Sequence, residues 1–248
     1  MPANRKTPAD PLSAYRAKRS LDRTTEPGAR AVQPGSAGGL FVVHQHAARN
    51  LHFDLRLEMK GVLTSWAVPK GPSKNPADKR LAVHVEDHPI EYGGFEGNIP
   101  AGNYGAGSVM LWDRGTYDVL ENLPARDQLA RGDFKFRLHG EKLNGDFALV
   151  HMKNRGKGNE WLLIKKRDQS AVPDYDIENY AYSVLSGRTQ EEIGKNLPAR
   201  KSKKKTAGAT DAVWQSDRPA KGRKAASPQS TAPNPPSPKK KLGSTPAS

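Results

Sequence analysis

The sequence of 248 residues contains no cysteine, and that absence removes several kinds of chemistry at once. Disulfide bonds, thiolate nucleophiles and cysteine-ligated zinc are excluded, and a chain without cysteine agrees with a reducing compartment. Hydrophobic residues are also scarce, at 35% of the chain. No apolar run approaches the roughly 18 residues of a membrane span, and the polar start lacks a signal-peptide core. We therefore predict a soluble, cytoplasmic protein with one ordinary core.

Acidic residues are rare at the C-terminal end, where the positive charge collects. Of the net charge of +14, residues 199–248 carry +10, from 12 Lys and Arg against two Asp, and residues 1–198 carry +4, from 28 basic against 24 acidic residues. The segment is rich in Lys, Ala, Ser and Pro, which is typical of disorder. Such runs neutralise nucleic-acid phosphates without reading sequence, although a merely solubilising tail is the alternative. The candidate contacts are Arg200, Lys201, Lys203, Lys204, Lys205, Lys239, Lys240 and Lys241.

The strongest periodic signal is the strict alternation of polar and apolar residues from Leu51 to Met59. This two-residue period predicts a half-buried strand with His52, Asp54 and Arg56 on one face. Next-but-one residues on a strand lie roughly 6.5 to 7 Å apart, so His52 and Asp54 could share one ion, with His46 six residues upstream as a further ligand. These ligand types suit Mn, Fe or Zn. A solvated strand face alternates in the same way, so the pattern alone leaves both interpretations open.

A second alternating run, at residues 81–88, ends in His88. The alternation predicts that His84 and His88 share the polar face. An imidazole that titrates near neutrality is suited to donate to a phosphate or to protonate a leaving oxygen, and we assign that role to His88. We expect His84 to be a structural or supporting residue. The isolated histidines at positions 44, 139 and 151 are also expected to be structural.

The remaining pattern consists of short strands at short intervals. Strands are expected at 40–45, 51–59, 63–68, 82–86, 107–112, 115–119, 134–138, 145–151 and 161–165, with turns at 113–115 and 143–145. Short helices are expected at 10–18, at 124–129 and after a capping box at residues 189–192. This composition predicts a mainly β fold, a small, partly open β-barrel with short flanking helices, whose polar concave face holds the site.

The same pattern divides the chain into four parts. These are an N-terminal helix and linker that contribute to the site (1–37), the barrel core (38–170), a C-terminal extension with a short helix (171–198) and the disordered basic tail (199–248). A Gly-dense run at residues 94–107 lacks the Gly-Lys-Ser/Thr of a P-loop. We interpret it as turns that fold the chain back around the site.

Several motifs, in the same order, resemble the phosphoesterase module of bacterial DNA ligase D. They are HQHAARNLHFDLR (44–56) within residues 39–58, SWAVPKGP (65–72), KRLAVHVEDHP (79–89), Tyr92, FEGNIP (95–100), GNYGAG (102–107) and WDRG (112–115). The similarity runs from about residue 15 to residue 168. It implies a β-barrel with flanking helices and a manganese-dependent enzyme of bacterial DNA end repair, associated with the nucleoid. Such an enzyme trims a 3′ ribonucleotide to leave a 3′-phosphate and then removes that phosphate.

The resemblance also assigns roles to residues. The family's ligands for Mn²⁺ fall on His46, His52 and Asp54, and its phosphate-handling residues fall on Arg56, Lys70, Arg80, His88 and Tyr92. An N-terminal segment of the family resembles residues 18–19 and 26–27, which makes Arg19 and Glu26 supporting residues, together with His84. The family usually has an acidic residue directly after that Arg, whereas this chain has Ser20.

Three functions are compatible with these patterns. The first is a metal-dependent 3′-phosphoesterase acting on DNA or mixed DNA/RNA ends. Because the Lys-x-Asp-Gly signature of a ligase is absent, we expect a stand-alone module that works with a separate DNA ligase and end-joining factors. The sequence has no heptad or apolar stripe that would indicate an oligomer, so we expect a monomer. The second is a non-catalytic repair scaffold that holds DNA or a ligase. The third is a non-haem iron oxygenase built on His52, Asp54 and a distal His, which would not need Arg56 or a basic tail.

Overall fold

The computed structural model describes residues 10–19, 21–28, 39–153 and 156–200. The strands are β1 Gly39–Ala47, β2 Leu51–Met59, β3 Val62–Val68, β4 Lys79–His84, β5 Gly97–Ile99, β6 Gly107–Val119, β7 Asp133–Gly140, β8 Asn144–His151 and β9 Glu160–Lys165. The helices are α1 Ser13–Ala17, α2 Ala125–Arg131 and α3 Gln190–Gly194, with 3₁₀ turns at Ile90–Gly94 and Ile177–Tyr180. In the described part of the chain, no helix has the length and apolar character needed to cross a bilayer.

Eight of these strands form a barrel, which confirms the predicted mainly β fold. Neighbours pair antiparallel in the order β1-β2-β3-β4-β9-β8-β7-β6, and β6 pairs back onto β1, so the barrel is closed. The short strand β5, which the sequence pattern did not predict, adds to β6. The junction between β3 and β4 rests on two residue pairs, Trp66 opposite His84 and Ala67 opposite Val83. This junction is the least paired part of the circuit.

The clearest difference from the predicted strands lies at residues 113–115, where a turn was expected and β6 continues as one strand of 13 residues. The pairing of β6 with β1 shifts by one residue beside Asp113, but the strand continues. The buried carboxylate of Asp113 accepts hydrogen bonds from the backbone N–H of Arg114 and from those of residues 141–143, in the turn between β7 and β8. The turn prediction was wrong because this carboxylate caps a different turn.

The helix ends follow capping rules with one shift. Thr189 and Glu192 form the predicted capping box at the start of α3, in which each side chain accepts from the other residue's backbone N–H. Helix α1 begins at Ser13, later than expected, because the carboxylate of Asp10 accepts from the backbone N–H of Leu12 at 3.1 Å in a turn before the helix. The N-terminal segment is therefore a short helical turn rather than a helix of two turns.

Apolar side chains fill the inside of the barrel. The odd-numbered residues of β2 from Phe53 to Met59 pack in one cluster with Phe136 of β7 and Phe147 of β8. The even-numbered residues of β2, which include the predicted ligands, consequently face outward. Our expectation that the concave face would hold the site was wrong, because that face packs the core.

A second apolar cluster lies on the outer face of β1, β3 and β6. It contains Tyr15 from α1, Tyr92 and Phe95 from the 3₁₀ turn and its end, and Leu63 from β3. The N-terminal segment and the 3₁₀ turn thus form a layer over the outside of the barrel. Polar residues on this face of the barrel are buried under that layer rather than solvated.

Asp168 fixes the chain where it leaves the barrel after β9. Its carboxylate accepts from the backbone N–H of Asp146 at 2.6 Å and of Ser170 at 2.8 Å, and it pairs at 2.5 Å with the fully buried ammonium of Lys165. Burial opposes the charged form, but these donors outweigh it and lower the pKa of Asp168. The ionised carboxylate therefore joins β8, β9 and the following segment.

Candidate metal centre

The antiparallel pairing of β1 and β2 brings the three predicted ligands together. His46 lies directly opposite His52, and Asp54 follows two residues later on the same face of β2. One ligand atom from each side chain lies within 4.8 Å of the other two. Six residues along the chain separate the two histidines because a tight hairpin lies between them, and this hairpin places their imidazole rings side by side.

Backbone carbonyl groups orient both imidazoles. Nε2 of His46 lies 2.8 Å from the carbonyl oxygen of Gly105, and Nδ1 of His52 lies 3.0 Å from that of Asn50. A carbonyl oxygen only accepts, so each of these nitrogens carries the ring proton and the other nitrogen presents a lone pair. The carboxylate of Asp54 lies near both of the nitrogens that present a lone pair. Its Oδ2 is 3.9 Å from Nδ1 of His46, and its Oδ1 is 3.6 Å from Nε2 of His52.

This arrangement fits a divalent transition ion. Burial lowers the pKa of His46, which keeps the ring neutral and able to act as a ligand. Two imidazole nitrogens and a carboxylate oxygen are donors that accept Mn, Fe, Co or Zn. The donor set does not choose between these ions.

The loop at residues 100–107 holds the carbonyl that orients His46. Gly105 has a φ of +74° and Gly107 a φ of +140°, both in the region that favours glycine. A Cβ on Gly107 would lie 2.1 Å from the carbonyl oxygen of Ala47. This close approach presses the loop against the end of β1, as expected if the Gly-dense run forms turns around the site.

Arg56 connects the candidate metal ligands to His88. Its side chain is only 3% exposed, and Nη2 donates to the Asp54 carboxylate at 3.0 Å. Nη1 donates to the hydroxyl of Ser65 at 2.8 Å and lies 2.9 Å from Nδ1 of His88. The guanidinium also lies 4.9 Å from the centre of the buried Tyr92 ring. Arg56 is thus held in place at the edge of the ligand set.

His88 reaches Arg56 through a one-residue slip in pairing. Strand β4 ends at His84, opposite Trp66, whereas His88 forms an isolated bridge with Leu63, one residue out of that register. Such a slip moves a side chain to the other face of the sheet. The ring of His84 lies 5.2 Å from that of Trp66, on the inner face of β4. The two histidines therefore do not share a face. The structure does not bring His84 to the polar cluster that is formed by the candidate ligands, Arg56 and His88.

The N-terminal segment supplies a second guanidinium. Nη2 of Arg19 lies 3.1 Å from Nε2 of His88, and its Nε donates to the buried Glu26 at 3.0 Å. Nη1 of Arg19 donates to Glu86 at 3.2 Å. Arg19 and Glu26 thus lie at the cluster, as the resemblance implied, while Ser20 lies outside the described residues.

His88 lies between the two guanidinium groups. Burial and the positive charges of Arg56 and Arg19 hold the pKa of His88 well below its ordinary value, so the ring is neutral. The backbone carbonyl oxygen of Glu86 lies 2.9 Å from Nδ1, so Nδ1 carries the ring proton and donates to it, while Nε2 accepts from Arg19. Nδ1 therefore does not accept from Arg56, whose Nη1 donates to Ser65 instead. In this state the ring lacks the extra proton that the predicted general acid would donate.

The formal charges of this cluster balance before any ligand binds. The three cations pair with three carboxylates, namely Lys18, Arg19 and Arg56 with Glu26, Asp54 and Glu86. A divalent ion would add two positive charges, and a phosphate dianion would restore the balance. Buried charges are tolerated when they are paired, so the cluster is suited to bind an ion and a phosphate together.

Two of the predicted phosphate-binding residues, Lys70 and Arg80, lie outside the polar cluster. Lys70 is exposed just after β3, and Nη2 of Arg80 pairs with Asp78 at 2.8 Å. Strand alternation places Arg80 on the same face of β4 as Ala82, which packs in the barrel interior. Among the described residues, no hydrogen bond or ion pair joins Lys70 or Arg80 to the cluster.

Some residues at the cluster were not predicted from the sequence. Glu86 and Lys18 form an ion pair at 3.0 Å, and Ser65 donates from its hydroxyl to a backbone carbonyl while accepting from Arg56. The position of Glu86 two residues before His88 was the available signal. Of the predicted tail contacts, Arg200 donates to Glu192 at 2.7 Å, and the lysines from Lys201 onward lie outside the described residues.

Comparison with known proteins agrees with this geometry. Residues 44–151, which contain all three candidate ligands, match the family described as the DNA ligase D 3′-phosphoesterase domain. The chain is 47% identical over 183 residues to the multifunctional non-homologous end joining protein LigD of Pseudomonas aeruginosa, covering 72% of this chain and 22% of that protein. It is 45% identical over 174 residues to the protein of that name from Mycolicibacterium smegmatis, covering 68% and 22%. The chain thus spans about a fifth of the length of these relatives.

Proposed function

We propose that this chain, which resembles the 3′-phosphoesterase domain of bacterial DNA ligase D, is a metal-dependent phosphoesterase that processes the 3′ ends of DNA. It would remove a terminal ribonucleotide to leave a 3′-phosphate and then remove that phosphate, with Mn²⁺ as the preferred ion. The setting would be bacterial end-joining repair, with a DNA ligase as partner. The observation that supports the proposal most is the 3.0 Å contact of Arg56 with the candidate ligand Asp54, because a guanidinium beside the ligands could bind a phosphate next to the ion.

One group of residues would bind the ion, and another would bind the phosphate. His46, His52 and Asp54 would hold the ion, which when bound supplies Lewis acidity at a phosphoryl oxygen. The guanidinium groups of Arg56 and Arg19 would bind the other phosphate oxygens, since planar guanidinium groups match phosphate geometry. Because both are fixed by carboxylates before the substrate arrives, they stabilise developing negative charge with little reorganisation.

The neutral His88 would keep the two guanidinium groups apart and oriented. Its ring contacts one guanidinium through each nitrogen. The ring of Tyr92, whose centre lies 4.9 Å from the Arg56 guanidinium, would hold that group in place. The exposed Lys70 is proposed to contact the substrate backbone, and Arg80 remains a proposed phosphate contact. Each of these roles concerns positioning of the phosphate.

The proposal is tested with an end-labelled primer that bears either a 3′ ribonucleotide or a 3′-phosphate. Protein treated with EDTA should be inactive and should regain both activities with MnCl₂. The variants His52→Ala and Asp54→Asn should lose more than about 100-fold in activity, since even groups that only orient metal ligands are worth 10- to 100-fold. The matched control is His139→Ala, an exposed histidine that pairs with Asp118 at 2.7 Å and lies outside the centre.

The outcomes separate the alternatives. A scaffold without catalytic activity gives no product with any ion, although it still binds DNA. An iron oxygenase gives no phosphate release and consumes dioxygen with iron. Activity that survives in His52→Ala and Asp54→Asn would show that the ion, if one is used, binds elsewhere.

A further inference from the structure

A half-exposed tyrosine stands at the rim of the candidate metal centre. Tyr104 is 52% exposed and directly precedes Gly105, whose carbonyl oxygen holds the His46 ring. The ammonium of Lys18 lies 5.0 Å from the centre of the Tyr104 ring, and the guanidinium carbon of Arg19 lies 5.6 Å from it. The ring is therefore next to a metal ligand and also next to a group that we propose binds phosphate.

The position of this ring is fixed by its loop. The side-chain amide of Asn103 donates to the carbonyl oxygens of Pro100 and Arg23, at 3.2 and 3.3 Å. Gly102 and Gly105, on either side, have φ angles of +86° and +74°, which few other residues adopt. The loop thus presents an aromatic side chain to solvent from a backbone that is held at several points.

We propose that Tyr104 is the surface on which the base of the 3′-terminal nucleotide stacks. The inference rests on the proposed function and names the substrate class that the site accepts. Aromatic side chains beside cationic groups are the usual means of holding single-stranded nucleic acid, because bases stack on the ring while the cations bind the backbone. Here the ring adjoins the proposed ion and phosphate sites, so the base that belongs to the bound phosphate is the one within reach.

This arrangement sets the specificity. A base can stack on Tyr104 only when it has left its partner, so the site should prefer an unpaired or frayed 3′-terminal nucleotide. Every base has a flat face, so the preference should not depend on which base is present. The substrate class is therefore an unpaired 3′ end of any sequence.

The test compares the full-length wild type with Tyr104→Ala on two primers that differ only at the terminal nucleotide, one with a normal base and one abasic. On the normal primer, Tyr104→Ala should raise KM by about 5- to 150-fold, the range that corresponds to the loss of one base–aromatic stack, and should change kcat little. On the abasic primer, wild type and variant should have similar KM values. An equal loss on both primers would overturn the proposal, because a ring that acts only by orienting Arg19 does not distinguish them.

Two further variants separate the ring from its hydroxyl and its cation. Tyr104→Phe should behave as wild type on both primers, whereas impairment equal to that of Tyr104→Ala would overturn the proposal. Lys18→Met removes the cation that lies 5.0 Å from the ring centre but keeps the ring. It should lose affinity equally for the normal and the abasic primer. A loss confined to the normal primer would assign base recognition to Lys18 instead.

A binding measurement makes the inference independent of turnover. A primer with 2-aminopurine at its 3′ end loses fluorescence when that base stacks on an aromatic ring. Wild type should quench the probe and Tyr104→Ala should not, while equal quenching by both proteins would overturn the proposal. If wild type quenches the probe but releases no phosphate under any condition, the proposed function fails and the stacking surface stands.

Discussion

Ion binding at the candidate centre should be measurable as stabilisation of the folded chain, without any turnover. A ligand that binds only the folded state adds RT ln(1 + [L]/Kd) to the free energy of unfolding, about 2.7 kcal/mol at a concentration 100 times Kd. For a chain of this size, each kcal/mol raises Tm by about 2 to 4 °C. Mn²⁺ should therefore raise the Tm of EDTA-treated protein by about 5 to 11 °C.

His52→Ala is the variant that tests this reasoning most directly. The side chain of His52 is 24% exposed, and its hydrogen bond goes to the carbonyl oxygen of Asn50 at the edge of the barrel. Its loss should cost less than about 1 kcal/mol in the absence of an ion. Replacing Asp54 is less clean, because Arg56 would then remain buried without its carboxylate. His52→Ala should thus unfold near the wild-type temperature in EDTA and show no response to Mn²⁺.

Differential scanning calorimetry of wild type, His52→Ala and the control His139→Ala, each titrated with MnCl₂ and MgCl₂, measures the effect. The control should respond as wild type does. A wild-type Tm that is unchanged by any divalent ion would refute the centre. An equal rise in His52→Ala would place the ion elsewhere in the protein.

Three stability predictions follow from particular contacts. Gly107→Ala should destabilise by about 1 to 3 kcal/mol, because the new Cβ meets the carbonyl of Ala47 at 2.1 Å, and a urea midpoint equal to that of wild type would contradict this. Glu26→Gln should cost about 1 to 3 kcal/mol, because the buried Arg19 loses a counter-charge, and Thermofluor midpoints at low and high salt should show a loss that salt does not restore. Asp168→Asn should be less stable at pH 7 by about 1 to 3 kcal/mol. The native pKa of Asp168 is lowered, so its contribution to the free energy of unfolding is full above the unfolded-state pKa of about 3.9 and is lost as the pH falls. If the variant and the wild type differ in free energy of unfolding by the same amount at pH 7 and at pH 2, Asp168 is not ionised in the folded protein.

The features that were predicted correctly are those that depend on residues close together in the sequence. The alternation from Leu51 to Met59 corresponds to β2 residue for residue, because a two-residue period with one apolar face has few other solutions. The spacing of His46, His52 and Asp54 led to a ligand set that the hairpin does assemble. These are short-range properties, in which neighbours along the chain are also neighbours in space.

The parts that were not predicted depend on contacts between distant segments. Alternation shows that two faces differ, but it does not show which is inside, and here Asp54 and Arg56 on the outer face of β2 are buried like the apolar residues on its inner face. The slip between His84 and His88 depends on where the chain bridges to Leu63, a residue 25 positions before His88. Pairing between Glu86 and Arg19 joins segments 67 residues apart. A single sequence contains no local signal for such contacts.

The outward position of the candidate centre divides its construction between two parts of the protein. The barrel holds the ligands, because β1 and β2 are paired along their length and their inner faces pack in the core. The second guanidinium comes from the N-terminal segment, in which Glu26 holds Arg19. Arg19 reaches His88 only while that segment lies over the barrel, where Glu86 pairs with it. Ion affinity should therefore follow the stability of the barrel, while phosphate affinity should also depend on docking of the N-terminal segment. The two carboxylates that pair with Arg19 would thus serve the proposed phosphate binding, although neither can bind a phosphate itself.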